Sequence, residues 1–382
     1  MTLSPIESIK EHFAGVEDPR QERKVEHPLI NIIFMTICGV LSGADNWVAI
    51  ETFGKNQKEW LSQYVNVEKG IPSHDTLGNT FALINPKQFR ESFQEWMKSV
   101  CDVVSGVVAI DGKKVRRSHD KKRGREAIHM VSAWGEANGV VLAQEKVDEK
   151  SNEITAIPLL LEVLDLKNCI VTMDAMGCQR EIAKQIVNKG GDYVLFLKGN
   201  QEHLLEDVQE MFAYFKKVEF AHIDHNYHKT VNKNHGRLEI RECWTFDPHQ
   251  WCSHFRTLDK WAGLQSVGMI RAYRYVGETV STQTRFVISS LTNQAKRLLQ
   301  ATRSHWGIEN KLHWVLDVVF REDLSRIRQG FAAENLAVIR HLVLNLLKQE
   351  KTAKMGIQNK RLSCAWNTSY RDKVLAGLVS LC

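Results

Sequence analysis

The sequence has no Cys-x-x-Cys pair, no long apolar run and little net charge. Its eight cysteines, Cys38, Cys101, Cys169, Cys178, Cys243, Cys252, Cys364 and Cys382, are scattered through mostly apolar surroundings. That distribution excludes a disulfide-stapled scaffold and reads as reduced, buried thiols. The longest near-apolar run, Leu29 to Val40, falls short of the roughly 20 residues that span a bilayer and holds Asn31 and Thr36. The opening MTLSPIESIKEHF has no basic start followed by an apolar stretch, so no signal peptide is expected. These absences point to a soluble, cytoplasmic protein without a membrane partner. No repeat recurs at a fixed period, and no Walker phosphate loop occurs, so no nucleotide cofactor is implied. The net charge of +6 permits an anionic partner without requiring one.

What remains is an ordinary globular mixture: 382 residues, 43% hydrophobic and 25% charged. At roughly 100–200 residues per domain, that is two or three domains. Residues 1–27 are polar and show no clear element. Helical spacing then covers about 28–43, opened by Pro28, and 46–64, 74–84 and 86–101. Ser73 is the N-cap expected for the third of these. Such a bundle is either packing alone or a reader of DNA ends.

The composition changes at 102. A β-branched run ends at Asp111, and strands are expected over 129–134 and 140–146, joined through the hairpin signal Asn138-Gly139. A helix over 155–166, a strand over 169–173 stopping at Asp174, a helix over 178–189 and a strand over 192–197 follow. After a helix at 201–218, strands return at 237–246, 267–275 and 283–290. Two helices are expected at 294–321 and 331–349. The tail, 351–382, gives no clear reading.

Two carboxylates, Asp111 and Asp174, end two buried strands. An Asp that merely caps a turn is common. In a sheet of this order, however, the first and fourth strands can lie side by side, and their ends share one crevice. Two hard oxygen donors there suit Mg²⁺ or Mn²⁺. Two such ions about 3.5–4 Å apart activate a water and stabilise the leaving oxygen of a phosphodiester. The third carboxylate is sought in TRSHWGIENKLHWVLDVVF. There Ile308, Leu312, Val315 and Val319 mark a core stripe, and His305, Glu309, His313 and Asp317 step by four beside it. Glu309 can face the crevice, or this line can be a solvated face. Zinc on His305, Glu309 and His313 is a rival without the usual HExxH spacing. Two further groups, His222, His225, His228 and His235, and Cys243, His249, Cys252 and His254, lack standard zinc spacings.

Charge is the second feature. Between Lys113 and Arg125, eight of thirteen residues are Lys or Arg, opposed only by Asp120. Such a run is usually a solvated loop. Beside a metal site it can neutralise phosphates, which nominates Lys113, Lys114, Arg116 and Arg117, with Lys198 and Asn200 at the end of the next strand. Trp306 and Trp314 flank Glu309 and can stack on splayed bases, although tryptophan on a helix is more often core. The absence of any His-x-His pair counts against a His-based single-strand nuclease. The absence of His-x-x-Arg counts against a tyrosine recombinase.

Several strings together are diagnostic: DPRQERKVEHPL near the start, GADNW at 43–47, GIPSHDT at 70–76 and AIDGKKVRRS at 109–118. They continue with DEKSNEITAIPLLL at 148–161, VTMDAMGCQREIA at 171–183, GGDYVLFLKGNQ at 190–201, HGRLEIRE at 235–242 and HWGIENKLHWVLDVVFRED at 305–323. In these the chain resembles the DDE transposases of insertion sequences, and most closely their H-repeat-associated group, essentially from end to end. The resemblance implies an α/β, RNase H-like catalytic core interrupted by a β-rich insertion and preceded by an all-helical domain. Asp111, Asp174 and Glu309 match the catalytic and metal-binding Asp, Asp and Glu. The wider group often carries a Tyr-x-x-Arg-x-x-x-Glu-then-Lys signature. Here Thr302, His305 and Leu316 stand at its Tyr, Arg and Lys positions, so the DNA contacts of this helix, His305 and Trp306 among them, are a separate question from the triad.

The expected organisation is a helical domain at 1–101 that reads the element end, a catalytic domain at 102–350 with its insertion at about 220–292, and a tail at 351–382. The expected activity is Mg²⁺-dependent cleavage at element ends and strand transfer into target DNA, with Mn²⁺ able to substitute, by a homo-oligomer that meets the nucleoid when DNA-bound. The alternatives are a domesticated, non-catalytic DNA-binding protein and a plain metal-dependent nuclease.

Overall fold

The structure is a computed structural model, and it describes residues 4–101, 105–119, 124, 126–148, 151–234 and 236–378. The chain opens on helices α1 (Pro5–Phe13), α2 (Leu29–Leu41), α3 (Trp47–Asn56), α4 (Lys58–Leu61), α5 (His74–Leu83) and α6 (Pro86–Val100). Three were expected nearly as they stand, including Ser73 as N-cap, whose side chain accepts from the Thr76 N–H. The expected helix at 46–64 is broken at Gln57, where φ is −114°. The polar segment 1–27 holds α1, started by a reciprocal capping box between Ser4 and Glu7. The spacing Ser4-x-x-Glu7 was the signal for it.

Strands and helices then alternate: β1 (Gly106–Lys114), β2 (His129–Gly135), β3 (Val140–Lys146), α7 (Glu153–Val163), β4 (Cys169–Met173), α8 (Arg180–Asn188), β5 (Asp192–Leu197) and α9 (Glu202–Lys217). Four further strands follow, β6 (Asn226–Asn234), β7 (Arg237–Phe246), β8 (Ser266–Val276) and β9 (Thr279–Ser289). The chain ends in α10 (Ala295–Ile308), α11 (Trp314–Val318), α12 (Ala332–Gln349), α13 (Ile357–Trp366) and α14 (Thr368–Leu375). The polar β6, NYHKTVNKN, carries no apolar alternation and was not expected. It forms because it pairs along its whole length with β7 at the sheet edge.

The nine strands of the described residues form one sheet, ordered β3-β2-β1-β4-β5-β9-β8-β7-β6. β1 is parallel to β4 and β4 to β5, whereas β9 returns antiparallel to β5. The strands expected as an insertion therefore extend the central sheet. Side chains alternate between the faces with period two. On β4, β5, β8 and β9 one face presents Ile170, Val194, Phe196, Ile270 and Val287 to Leu298 and Leu299 of α10. The other presents Val171, Tyr193, Leu195 and Met269 to the core that the remaining helices share.

The tail folds back as α13 and α14 and joins the first helices to this core. Arg361 donates to the Val40 carbonyl and pairs with Asp45 at 2.9 Å. Arg371 lies over the Trp60 ring at 3.8 Å, and Asp372 accepts from Trp60 and Tyr64. Buried guanidinium groups are costly unless their donors are taken up, so these two arginines set the docking of the tail. No helix of the described residues is long and apolar enough to cross a membrane.

Candidate active site

Asp111 lies inside β1, not at its end. The strand continues to Lys114 on the β2 side, where Asp111 pairs with Ser132. On the β4 side the ladder stops at Ile110 opposite Met173. Asp111 thus stands at the point where its parallel neighbour turns away, and Asp174 begins that turn. The Asp174 side chain accepts from the Met176 N–H at 2.9 Å and caps the short turn Ala175–Gly177. The capping role and a site role coexist, because the second carboxylate oxygen is not spent on that bond.

Glu309 begins a π turn, Glu309–His313, between α10 and α11. A step of four residues overshoots an α-helical turn by about 40°. The wider turn takes up that overshoot, so that Glu309 lines the Asp111 cavity, His313 approaches Asp111 and Asp317 pairs with Lys113, while His305 bonds Thr172 of β4. Such bulges are frequent at functional sites. It also breaks the single helix expected at 294–321.

Asp111, Asp174 and Glu309 line one cavity of about 550 Å³, together with Lys198, His305 and Trp306. Burial pushes the Asp111 carboxyl up to about 7; the Gly112 N–H opposes this, and the charges of Glu153, Asp174 and Glu309 reinforce it. A buried acid facing three like charges is the electrostatic setting that a divalent cation relieves. As the side chains stand, no three His, Cys, Asp or Glu groups among the described residues converge tightly enough to ligate one ion. That holds for the triad and for the zinc alternatives alike; His235 lies outside the described residues. The donor chemistry of the cavity suits Mg²⁺ or Mn²⁺, since hard carboxylate oxygens dominate it.

Two residues at this site were not singled out for it. His313 places Nδ1 3.5 Å from Asp111 Oδ2. Burial, Lys113 and His341 push its imidazole down to about 3, so it is neutral. Glu153 approaches Asp111 from the α7 side and pairs with His129 at 2.9 Å. Gly112 makes room for it: a Cβ there would collide with the Glu153 carboxylate. The string DEKSNEITAIPLLL contained Glu153, and the step of four contained His313. Neither signal by itself pointed to Asp111.

The candidate phosphate contacts separate into two groups. Lys114, Arg117 and Lys198 are exposed. Arg116 is exposed as well and pairs with Asp323 at 3.2 Å. Lys113 is different: its ammonium is almost enclosed by Asp317 at 2.6 Å, Glu322 at 3.0 Å and Asp323 at 3.4 Å. Its charge is spent inside the protein, because β1 alternation turns it toward α11. Asn200 donates to the Ala175 carbonyl at 2.6 Å and holds the turn after Asp174. Most of the remaining basic run, 120–123 and 125, lies outside the described residues.

On the α10 side, His305 is buried and shares a hydrogen bond with Thr172 at 3.1 Å. Burial pushes it down to about 4. Thr302 and Leu316, at the other two signature positions, are buried too. All three signature positions therefore pack the helix down. Trp306 and Trp314 are 40% and 57% exposed, so neither is a core residue. The Arg285 guanidinium lies 4.6 Å from the centre of the Trp306 ring.

Comparison with known proteins agrees along the whole chain. Residues 104–346 match the Transposase DDE domain, and residues 10–97 match the DDE_Tnp_1-associated region. YhhI of Escherichia coli (strain K12), an H repeat-associated protein named as a transposase, is 41% identical over 97% of this chain and 98% of its own. YncI of Escherichia coli O157:H7, also named as a transposase, is 42% identical over 98% of this chain and 96% of its own. Among solved structures, a piggyBac transposase synaptic complex with hairpin DNA aligns over 97% of this chain and 81% of that one, at 9% identity and a TM-score of 0.43. That likeness is too loose to carry an argument. With a family domain over most of its length and relatives of more than 40% identity across nearly all of it, this chain belongs to the DDE transposases, alongside the H repeat-associated proteins.

Proposed function

We propose that this transposase cleaves DNA at the ends of its element and joins the freed ends to target DNA, with Asp111, Asp174 and Glu309 holding two Mg²⁺ ions. The observation that carries the reading is that these three carboxylates, from three separate segments, line one cavity, where Asp111 is raised chiefly by burial and further by the charges around it. Bound there, the ions supply a water nucleophile for cleavage, activate the freed 3′-OH for transfer and stabilise charge on the leaving oxygen. The chain's own part is positioning. Asp174 is fixed by its cap, Glu309 by the π turn, and Asp111 by its ladder to β2. The neutral His313 packs 3.5 Å from Asp111 without adding charge. Lys198, which lines the cavity, and the exposed Lys114, Arg116 and Arg117 are the proposed phosphate contacts, with Trp306 as the proposed stacking partner of an unpaired base.

The strand order β3-β2-β1-β4-β5 supports an RNase H-like core, with β6–β9 as the insertion. The helices of residues 1–101 are the proposed reader of element ends, and the working form is a homo-oligomer on paired ends in the cytoplasm. The test mixes purified protein with labelled element-end DNA, a supercoiled target and Mg²⁺, beside Glu309→Gln. Joined products from the natural protein alone are expected. Cutting without joining is the outcome of a plain nuclease. Tight end binding with no metal-dependent cutting, with Mg²⁺ or Mn²⁺, is the outcome of a non-catalytic DNA-binding protein and overturns the proposal.

A further inference from the structure

Glu136 follows the last residue of β2 and opens the turn to β3. Its backbone is fastened to the sheet. The Glu136 N–H donates to the Val107 carbonyl of β1 at 3.0 Å, and the Gly139 N–H closes the turn on the Gly135 carbonyl at 2.8 Å. Gln349 of α12 donates to the Asn138 carbonyl of the same turn at 3.0 Å. The side chain spends both oxygens. Oε2 accepts from the Nε1–H of the fully buried Trp134 at 2.8 Å, and Oε1 pairs with the Lys311 ammonium of the π turn. Lys348 of α12 packs on the Trp134 ring, 4.9 Å from its centre. An exposed Lys–Glu pair holds little. This carboxylate is only 21% exposed and is fixed by a buried indole, so one end of the pair is immobile.

Gly307 shows how closely Glu136 approaches the helix. A Cβ at that position would collide with the Glu136 carboxylate. Glycine disfavours a helix interior, and here its missing side chain makes the contact possible. Glu136 therefore meets the helix two residues before Glu309, at Gly307, and two residues after it, at Lys311. Positions four apart share one side of a helix, and the position midway between them points about half a turn away. The cavities agree with this geometry. Gly307, Lys311 and Glu136 line a cavity of about 920 Å³, whereas Glu309 lines the carboxylate cavity. The contact thus lies across the helix from Glu309. Buried Ile308 and Leu312 hold this segment down on the core, but apolar contact is non-directional and leaves its roll about the axis loosely set. A charged hydrogen bond with a fixed acceptor is directional and sets it.

We infer that Glu136 is a positioning residue for the reaction: by holding the π turn through Gly307 and Lys311, it sets the roll of the helix and so aims Glu309 at Asp111 and Asp174. The inference rests on the role proposed above for Glu309 and adds the group that aims it. It also ties the third carboxylate to the strand of the first, because Glu136 hangs from Val107 of β1. A pair that merely docked a helix would have no reason to bracket Glu309.

The test has two arms, both on the full-length protein. In EDTA, hydrogen exchange is read by mass spectrometry on peptides covering 303–313. Glu136→Ala should speed exchange there about tenfold, the weight of one lost hydrogen bond to a charged group, while peptides of α2 keep their rates. With Mg²⁺ and labelled element ends, the rate of cutting at saturating DNA should fall about a hundredfold, the cost of an ångström-scale displacement. The half-saturating DNA concentration should stay or fall, since the change removes a negative charge. Glu136→Gln keeps the length and an acceptor for both donors, so it should recover part of the rate. Gly307→Ala should slow the natural protein but add nothing to Glu136→Ala, whose short side chain no longer clashes. Should Glu136→Ala fail to fold, Lys311→Met cuts the same pair at its half-exposed end and takes its place, with exchange and saturated rate as readouts. Unchanged exchange or an unchanged saturated rate overturns the inference. So does a loss confined to DNA affinity, and so does Gln as damaging as Ala, which would mean that charge alone acts. A natural protein that never cuts with Mg²⁺ or Mn²⁺ removes the two-metal reading instead, and the exchange arm alone then decides whether Glu136 holds the turn.

Discussion

Asp111 and Lys113 are two residues apart on the same face of β1, yet they sit in opposite electrostatic worlds. Lys113 meets Asp317, Glu322 and Asp323, and Glu322 is in turn held by Arg340 at 3.3 Å. Burial alone would raise Glu322, but Lys113 and Arg340 hold it down to about 2. That cluster is closed: charges of both signs are present, and nothing from outside is needed. Around Asp111 the neighbours are Glu153, Asp174 and Glu309, and the acid is pushed up to about 7. That cluster is open, short of positive charge and beside a cavity. The difference teaches which of two buried ionic groups is built for the fold and which for a ligand. A compensated cluster stabilises the folded chain by itself; an uncompensated one weakens it until a cation arrives.

The largest effect should come from breaking the closed cluster. Lys113→Met leaves Glu322 buried with Arg340 as its one close cation and strands Asp317 beside it. Removing one partner of a buried pair typically costs about 3–5 kcal/mol. Urea unfolding should show a loss of that order, with folding abolished in warm conditions. A loss under about 1 kcal/mol, the ordinary value for an exposed pair, would return Lys113 to the surface role that the basic run first suggested.

That suggestion shows where the sequence was legible. The strand ending at Asp174, the hairpin through Gly139 and the helix carrying Glu309 follow from local pattern, because apolar periodicity and turn chemistry are local properties. The pairing of β1 with β4 followed from the order of elements. What stayed hidden depends on contacts far apart in the chain. Nothing near Lys113 announces Glu322, more than two hundred residues away, so eight basic residues in thirteen read as one solvated run. The same holds for β6, whose polar sequence becomes a strand only through β7. It holds also for the tail, whose helices are placed by Arg361 and Arg371 against the first helices. Glu153 and His313 were in view as residues, and only the fold brings them to Asp111.

The open cluster should respond to metal and to pH between about 4 and 7, whereas the closed one loses its contribution only in acid, as pH falls from Glu322's ordinary 4.5 toward about 2. Asp111 has a native pKa of about 7 against an ordinary 3.8. Between those values the native state keeps a proton that the unfolded state has released. Stability from this group is therefore full below about pH 4, is lost as pH rises to about 7, and is flat beyond. Asp111→Asn removes the titration. In EDTA at pH 8 that variant should be more stable than the natural protein by a few kcal/mol, measured by urea unfolding. Saturating Mg²⁺ should raise the natural protein's midpoint and leave the variant nearly unmoved. An equal rise in both would mean that the ion binds elsewhere.

The smallest effect tests whether Glu153 belongs to the open cluster. Gly112→Ala places a methyl against the Glu153 carboxylate and His129. Their flexible ends can turn aside, so the direct cost should stay near about 1 kcal/mol. The informative change is in the pH profile. Moving one negative charge away lowers the Asp111 pKa, so the fall in stability should finish at lower pH than in the natural protein. Glu153→Gln should shift the end of that fall the same way without adding a methyl. If both variants keep the natural profile, Glu153 acts only through His129 and α7, and the charge felt by Asp111 comes from Asp174 and Glu309 alone. If both shift it, a fourth carboxylate acts on Asp111 from outside the cavity. It stands on the face opposite α10, where the glycine, having no side chain, leaves the way to Asp111 open.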